Sequence, residues 1–177
     1  MLPKATNLFF MGLFNIEIKA RTSRVSYIRQ YLLTHGTTFI GTDLQTDTYF
    51  NVPHGRLKLR EGNIENNLIF YDRNDLAGPK QSAFNLVSVD QPVLLKEILG
   101  NALGHKIIVQ KTREIYFINN VKFHLDQVDG LGEFVEIEAS NKFADLTVEV
   151  LKDQCTFYMQ AFEIQENDLI NCSYSDM

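Results

Sequence analysis

Val121-Lys122-Phe123-His124-Leu125-Asp126-Gln127-Val128-Asp129-Gly130-Leu131-Gly132-Glu133-Phe134-Val135-Glu136-Ile137-Glu138 is the stretch whose reading decides the fold. Successive side chains of a strand point to opposite faces. Lys122, His124 and Asp126 therefore share one face, and Val121, Phe123 and Leu125 share the other. Asp129-Gly130 and Gly132 supply a turn, after which Glu136 and Glu138 share a face opposite Val135 and Ile137. The stretch predicts a β-hairpin with one apolar side, which must be covered, and one side bearing Asp126, Glu136 and Glu138. Clustered carboxylates repel unless cations sit among them, so this face suggests a site for a hard divalent metal such as Mg²⁺ or Mn²⁺. A solvated polar face is the competing explanation.

The same division recurs outward from the hairpin. Phe14 to Arg21 alternates, with Glu17, Lys19 and Arg21 opposite Ile16, Ile18 and Ala20. Thr37 to Asn51 predicts a long strand on which Gln45, Asp47 and Tyr49 share a face. Arg56-Leu57-Lys58-Leu59-Arg60 puts three basic residues against two leucines, Leu68 to Arg73 puts Arg73 with Ile69 and Tyr71, and Lys106 to Ile118 puts Lys111 with Arg113. A further strand is predicted from Ala83 to Val89 after a loop over residues 74–82. Helical spacing predicts a helix from about Arg24 to Thr34 and a second starting near Pro92, with Val93, Leu94, Leu95, Ile98 and Leu99 as its apolar face. A third runs within 144–162 through Leu151, Cys155 and Phe162, and a short final helix is expected over 168–174. The fold class is α+β, with about eight antiparallel strands. On an open sheet the charges would pair at the surface with little energetic effect. If the strands curl into a closed barrel, the same faces line an interior.

A charged interior is costly unless compensated. A polyanion held with divalent cations would compensate it, because basic groups suit phosphate oxygens and carboxylates suit metals. Each charge-assisted hydrogen bond contributes about 1.5–3 kcal/mol.

The totals are those of one soluble domain: 177 residues, 45% hydrophobic, 22% charged. A net charge of −5 argues against a general nucleic-acid binder. Cys155 and Cys172 form no metal-spaced motif and suit a reducing compartment or buried thiols. The sequence has no transmembrane run, P-loop or dinucleotide fingerprint. Residues 1–13 read as a leader that is not an export signal, with Met11 an alternative start, which leaves a cytoplasmic protein as the default. Of the four histidines only His124 falls on the charged face, as a proton shuttle or a hydrogen-bonding wall residue.

Glu17-Ile18-Lys19, Gln45 to Phe50, Arg56 to Arg60, Tyr71-Asp72-Arg73, Lys111-Thr112-Arg113 and the hairpin follow one another in the order of the CYTH superfamily, the triphosphate tunnel metalloenzymes. The resemblance covers Phe14 to the C-terminus, and the His-Leu-Asp…Phe-Val-Glu-Ile-Glu segment is most similar to the class IV adenylate cyclase branch. It implies a single domain over 14–177, an eight-stranded antiparallel barrel around a tunnel with flanking helices, and Mg²⁺ or Mn²⁺ as cofactor. It also implies metal ligands at Glu17, Asp126, Glu136 and Glu138. Lys19, Tyr49, Lys58, Arg60, Arg73, Lys111, Arg113 and Lys122 would bind substrate, and Glu136, Asp126, Lys111 and Arg113 would carry the chemistry. ATP, converted to cyclic AMP and pyrophosphate, is the expected substrate. A tripolyphosphatase, a thiamine or nucleoside triphosphatase and a non-catalytic triphosphate binder are the alternatives. Neither a nucleic-acid nor a membrane partner is implied, and a homodimer is compatible with the pattern. One departure concerns the first strand, where the family usually has two glutamates before the lysine. Here the first of them is Asn15, so the site has one negative ligand fewer.

Overall fold

The computed structural model describes residues 14–72, 78–142 and 146–177. The expected leader, residues 1–13, and Arg73 lie outside the described residues. Eight strands are present: β1 (Phe14–Arg21), β2 (Thr38–Phe50), β3 (Arg56–Glu61), β4 (Asn67–Asp72), β5 (Lys80–Ser88), β6 (His105–Ile118), β7 (Val121–Val128) and β8 (Gly132–Ser140). The helices are α1 (Val25–Thr34), α2 (Pro92–Leu103) and α3 (Val148–Ala161).

The strands form one curled antiparallel sheet in the order β1-β5-β4-β3-β2-β6-β7-β8, and β8 pairs with β1. The β1–β5 seam is short, running from Phe14↔Ala83 to Glu17↔Lys80. Long strands wrap the other side, where β2 and β6 pair from Thr38↔Phe117 to Phe50↔His105 with shifts after Phe39 and Tyr49. Such bulges sharpen local twist and help a sheet to bend.

Curling sets which face needs which chemistry. The outward face of β1, β7 and β8 is apolar, and α1 and α3 cover it. Ile16, Ile18, Phe123, Val135 and Ile137 meet Ile28 and Leu32 of α1 and Leu151 and Cys155 of α3 in one buried cluster. The α3 cap is a Thr147 side chain accepting from Val150 N, an N-terminal device suited to a β-region residue. Thr22 Oγ1 accepts from Arg24 N just before α1. The 119–120 connection between β6 and β7 is tight, with Asn119 at φ 52°. Asparagine tolerates that left-handed conformation better than most residues.

Three sequence expectations differ from the structure. β5 begins at Lys80, so residues 80–82 are strand where a loop was expected, held there by pairing with β1. The expected apolar face of α2 is not buried. Leu95 and Leu99 are half-buried, while Val93, Leu94 and Ile98 are exposed, because α2 lies on β2 and β3 with nothing over its outer side among the described residues. The final helix over 168–174 is replaced by two 3-10 turns, Glu166–Asp168 and Tyr174–Asp176, with extended chain between them. Ile170 N donates to Lys19 O and Leu169 bridges Ala20, so β1 captures this backbone and stops it coiling.

Phe123 is fully buried and stands edge-on to both Tyr158 and Phe162. Phe123→Ala is expected to lower the unfolding free energy by about 3–5 kcal/mol, measured by urea denaturation.

Candidate active site

The inward faces carry the charges, and the register places opposite signs side by side. Lys19 is opposite Glu136, Asp47 opposite Arg60, Arg113 opposite Asp126, and Lys122 opposite Glu138. Directly opposed residues of unlike charge stabilise a strand pair. The side chains converge on a cavity with an empty volume of ≈ 770 Å³, solvent at its mouth included.

One half of the cavity is basic and organised by Asp47. Its carboxylate accepts from Arg60 Nε at 2.8 Å and Nη2 at 3.0 Å, from Lys58 Nζ at 2.9 Å and from Lys111 Nζ at 2.7 Å. Glu65, from the loop between β3 and β4, accepts from Arg60 Nη1 at 3.0 Å and Lys122 Nζ at 2.6 Å. That loop is pinned by Asp43, whose carboxylate accepts from the backbone N–H groups of Ile64 and Glu65 at 2.8 and 3.1 Å. Gly62 permits the approach, since a Cβ there would lie 2.5 Å from Asp43 Oδ1.

The other half is acidic and organised by Glu136. It accepts from Lys19 Nζ at 2.9 Å, Arg113 Nη2 at 2.7 Å and His124 Nδ1 at 3.0 Å. Glu138 Oε1 lies 3.9 Å from the same imidazole nitrogen. One ligand atom from each of His124, Glu136 and Glu138 falls within 4.8 Å of the others, a grouping able to hold a metal ion. Glu17 lines the same cavity, opposite Glu138 in register. Two buried side-chain atoms of residues that line the cavity, Asn15 Oδ1 and His124 Nε2, have no hydrogen-bond partner among the described residues. Asn15 Oδ1, an unsatisfied acceptor in the cavity that Glu17, Glu136 and Glu138 also line, suits a cation.

The residues expected from the sequence thus divide. Glu17, Lys19, Tyr49, Lys58, Arg60, Lys111, Arg113, Lys122, Glu136 and Glu138 line one cavity. Asp126 stands apart from the His124–Glu136–Glu138 grouping. It holds Arg113 through Nε at 2.6 Å and through Nη2, and accepts from Tyr174 Oη at 2.8 Å. Its place is behind Arg113, orienting the guanidinium. Tyr49 Oη and Tyr71 Oη both meet Ser173 Oγ, at 3.2 and 2.9 Å.

Asp47 shares the inward face of β2 with Gln45 and Tyr49, of which only Tyr49 is given a role by the sequence, and the run of cations on neighbouring strands is the signal for it. Glu65 had none, since a loop residue acquires its partners only through the loop's path. Ser173 and Tyr174 were equally hidden, because the extended C-terminal segment carries them back into the cavity. There Lys19 Nζ lies 3.7 Å from the Tyr174 ring centroid.

Burial sets the protonation states. For Asp47 it opposes ionisation, but Arg60, Lys111 and Lys58 outweigh it and hold the carboxyl well below the usual range. Glu136 is likewise well below its ordinary value, burial being overcome by Lys19 and Arg113. Burial also lowers His124, helped by Arg113 and Lys122, which favours the neutral ring. Lys111 is pushed down to about 7, chiefly by burial, against the attraction of Asp47 and with repulsion from Arg60 and Arg113.

Residues 13–174 match the family model described as CYTH domain. The chain belongs to the CYTH domain family. Enzymes of the family act on triphosphates and depend on metal. A Methanocaldococcus jannaschii protein provisionally named an adenylate cyclase is 25% identical over 182 residues, 93% of this chain and 98% of that one. The solved PH1012 protein of Pyrococcus horikoshii OT3 is 25% identical, with a TM-score of 0.76 over 92% of this chain and 98% of its own. A Hippeastrum protein, provisionally named an adenylyl cyclase and said to reveal a dominant triphosphatase activity, has a TM-score of 0.62 at 14% identity, over 91% of each chain. At that identity the likeness is one of fold.

The Lys111 shift has a sign that can be measured. The ammonium is charged below about pH 7 and neutral above it, whereas contact with phosphate oxygens favours the charged form. After correction for the ligand's own titration, binding of tripolyphosphate at pH 8 should therefore draw a proton from the buffer, and binding at pH 6 should draw less. Calorimetry in buffers of different ionisation enthalpy measures this, and Lys111→Arg should remove it.

Proposed function

We propose that this chain is a divalent-metal-dependent enzyme of the class IV adenylate cyclase type, converting ATP to cyclic AMP and pyrophosphate. The observation that carries the reading is the meeting, in one cavity, of a basic group and a carboxylate–imidazole group beside an apolar wall. Lys58, Arg60 and Lys111 suit the β- and γ-phosphates. Glu136 and Glu138, with Glu17 beside them, would hold the metal, Mg²⁺ or Mn²⁺. Ile69, Tyr71, Phe84 and Leu86 line the remaining side, paired as Ile69↔Leu86 and Tyr71↔Phe84. That wall offers an organic group a surface that inorganic tripolyphosphate would not use, and so favours a nucleoside triphosphate.

Catalysis in this reading is positioning and charge neutralisation. When bound, the metal would polarise phosphate oxygens and the attacking ribose 3′-hydroxyl. Arg113, fixed in its plane by Asp126 and Glu136, would face the α-phosphate as the new P–O bond forms. Lys58, Arg60 and Lys111 would take up the charge that develops on the departing pyrophosphate. Lys19 and Lys122 would complete the grip, and Arg73 remains a substrate-binding candidate on its sequence position alone. Asp47 and Glu65 occupy the cations before substrate arrives, which avoids uncompensated buried charge.

A triphosphatase is the second reading, favoured by the Hippeastrum protein's described activity on the same fold. The same groups would serve, with water attacking the terminal phosphorus. Incubation with ATP, and separately with tripolyphosphate, in Mg²⁺ and Mn²⁺ separates the two. Cyclic AMP with equal pyrophosphate is the expected result. Orthophosphate without cyclic AMP would replace the cyclase by the phosphohydrolase, and binding without product would leave a non-catalytic binder. Glu136→Ala should reduce metal-dependent turnover by at least about a hundredfold. Arg60→Ala should act mainly on KM.

A further inference from the structure

His124 is not needed to neutralise Glu136. Lys19 and Arg113 already hold both carboxylate oxygens, at 2.9 and 2.7 Å. The imidazole nevertheless sits against Glu136 and Glu138, 1% exposed, with Nδ1 at 3.0 and 3.9 Å from their oxygens. Its Nε2 is one of four buried side-chain atoms without a partner among the described residues. Of the other three, only Asn15 Oδ1 shares the cavity. Asn15 lies one inward position along β1 from Glu17, the residue opposite Glu138. The ring nitrogen that faces the carboxylate pair is Nδ1, close enough to share a cation with Glu136 and Glu138.

We infer that His124 supplies an imidazole nitrogen to the metal held by Glu136 and Glu138, so that this chain selects a transition metal such as Mn²⁺ over Mg²⁺. The inference rests on the reading that these carboxylates bind a divalent metal. Mg²⁺ takes oxygen ligands in a near-ideal octahedron and gives up water reluctantly. Replacing one oxygen donor by an imidazole nitrogen favours a first-row transition ion over Mg²⁺, modestly for Mn²⁺ and more for the metals after it in the series. Asn15 Oδ1, in the same cavity, offers an uncharged oxygen.

The test uses the full chain with Mn²⁺ alone and reads the nitrogen coupling by electron spin echo envelope modulation. Wild-type protein should show ¹⁴N modulation of the bound Mn²⁺. His124→Gln should still bind Mn²⁺ but without the modulation, and with an affinity lower by roughly tenfold or more. The exposed control His54→Gln should keep both. Mg²⁺ competition should become more effective in His124→Gln, because the Mn²⁺ affinity falls more than the Mg²⁺ affinity. Should His124→Gln fail to fold, by circular dichroism, ¹⁵N-histidine in the wild-type chain decides the point through the isotope change in the modulation. Mn²⁺ bound without nitrogen coupling in wild type would overturn the inference and leave the carboxylate site standing. No Mn²⁺ binding would overturn both.

Discussion

The structure depends on the pairing of unlike charges across neighbouring strands inside a curled sheet. Stripping a single carboxylate or ammonium of water is costly, and a buried pair repays this only when geometry and hydrogen bonding are good. Here the register supplies the geometry, setting Asp47 against Arg60, Arg113 against Asp126, and Lys19 against Glu136. A slip of one residue in any of these strands would turn its charges outward and its apolar side chains inward. The charges therefore specify the fold more than they stabilise it. Stability comes from the opposite face, where α1 and α3 bury the apolar side of β1, β7 and β8.

Because compensation is arranged in two centres, the cavity is divided in chemistry. Asp47 gathers Lys58, Arg60 and Lys111, and Glu136 gathers Lys19, Arg113 and His124. An anion entering the first centre and a cation entering the second each replace an interaction that is already satisfied. A metal–triphosphate complex brings both at once, which either alone does not. The C-terminal segment ties the two centres together, with Tyr174 reaching Asp126 while Ser173 reaches Tyr49 and Tyr71.

Strand alternation made much of this legible. β1 coincides with its sequence reading, and the hairpin's faces are those that Lys122-Phe123-His124 and Glu136-Ile137-Glu138 imply. What alternation does not carry is depth and partner choice. Asp126 and Glu136 share the inward face, yet Arg113 and Tyr174 claim Asp126, and only the cross-strand register distinguishes them. Glu65 enters the cavity because Asp43 fixes a loop, and Ser173 and Tyr174 enter because β1 captures the chain after Leu169. Both are tertiary events without a local signal. The exposed side of α2 shows the converse, since helical periodicity reports an apolar face and not whether anything covers it.

The most direct test of this account is a crystal structure of the full chain grown with tripolyphosphate and Mn²⁺. The account predicts phosphate oxygens within hydrogen-bond distance of Lys58, Arg60 and Lys111, with Mn²⁺ on Glu136 and Glu138 in the same cavity. Phosphate bound outside the curled sheet, or a cavity in which Asp47 and Glu136 keep all their present partners at saturating ligand, would contradict it.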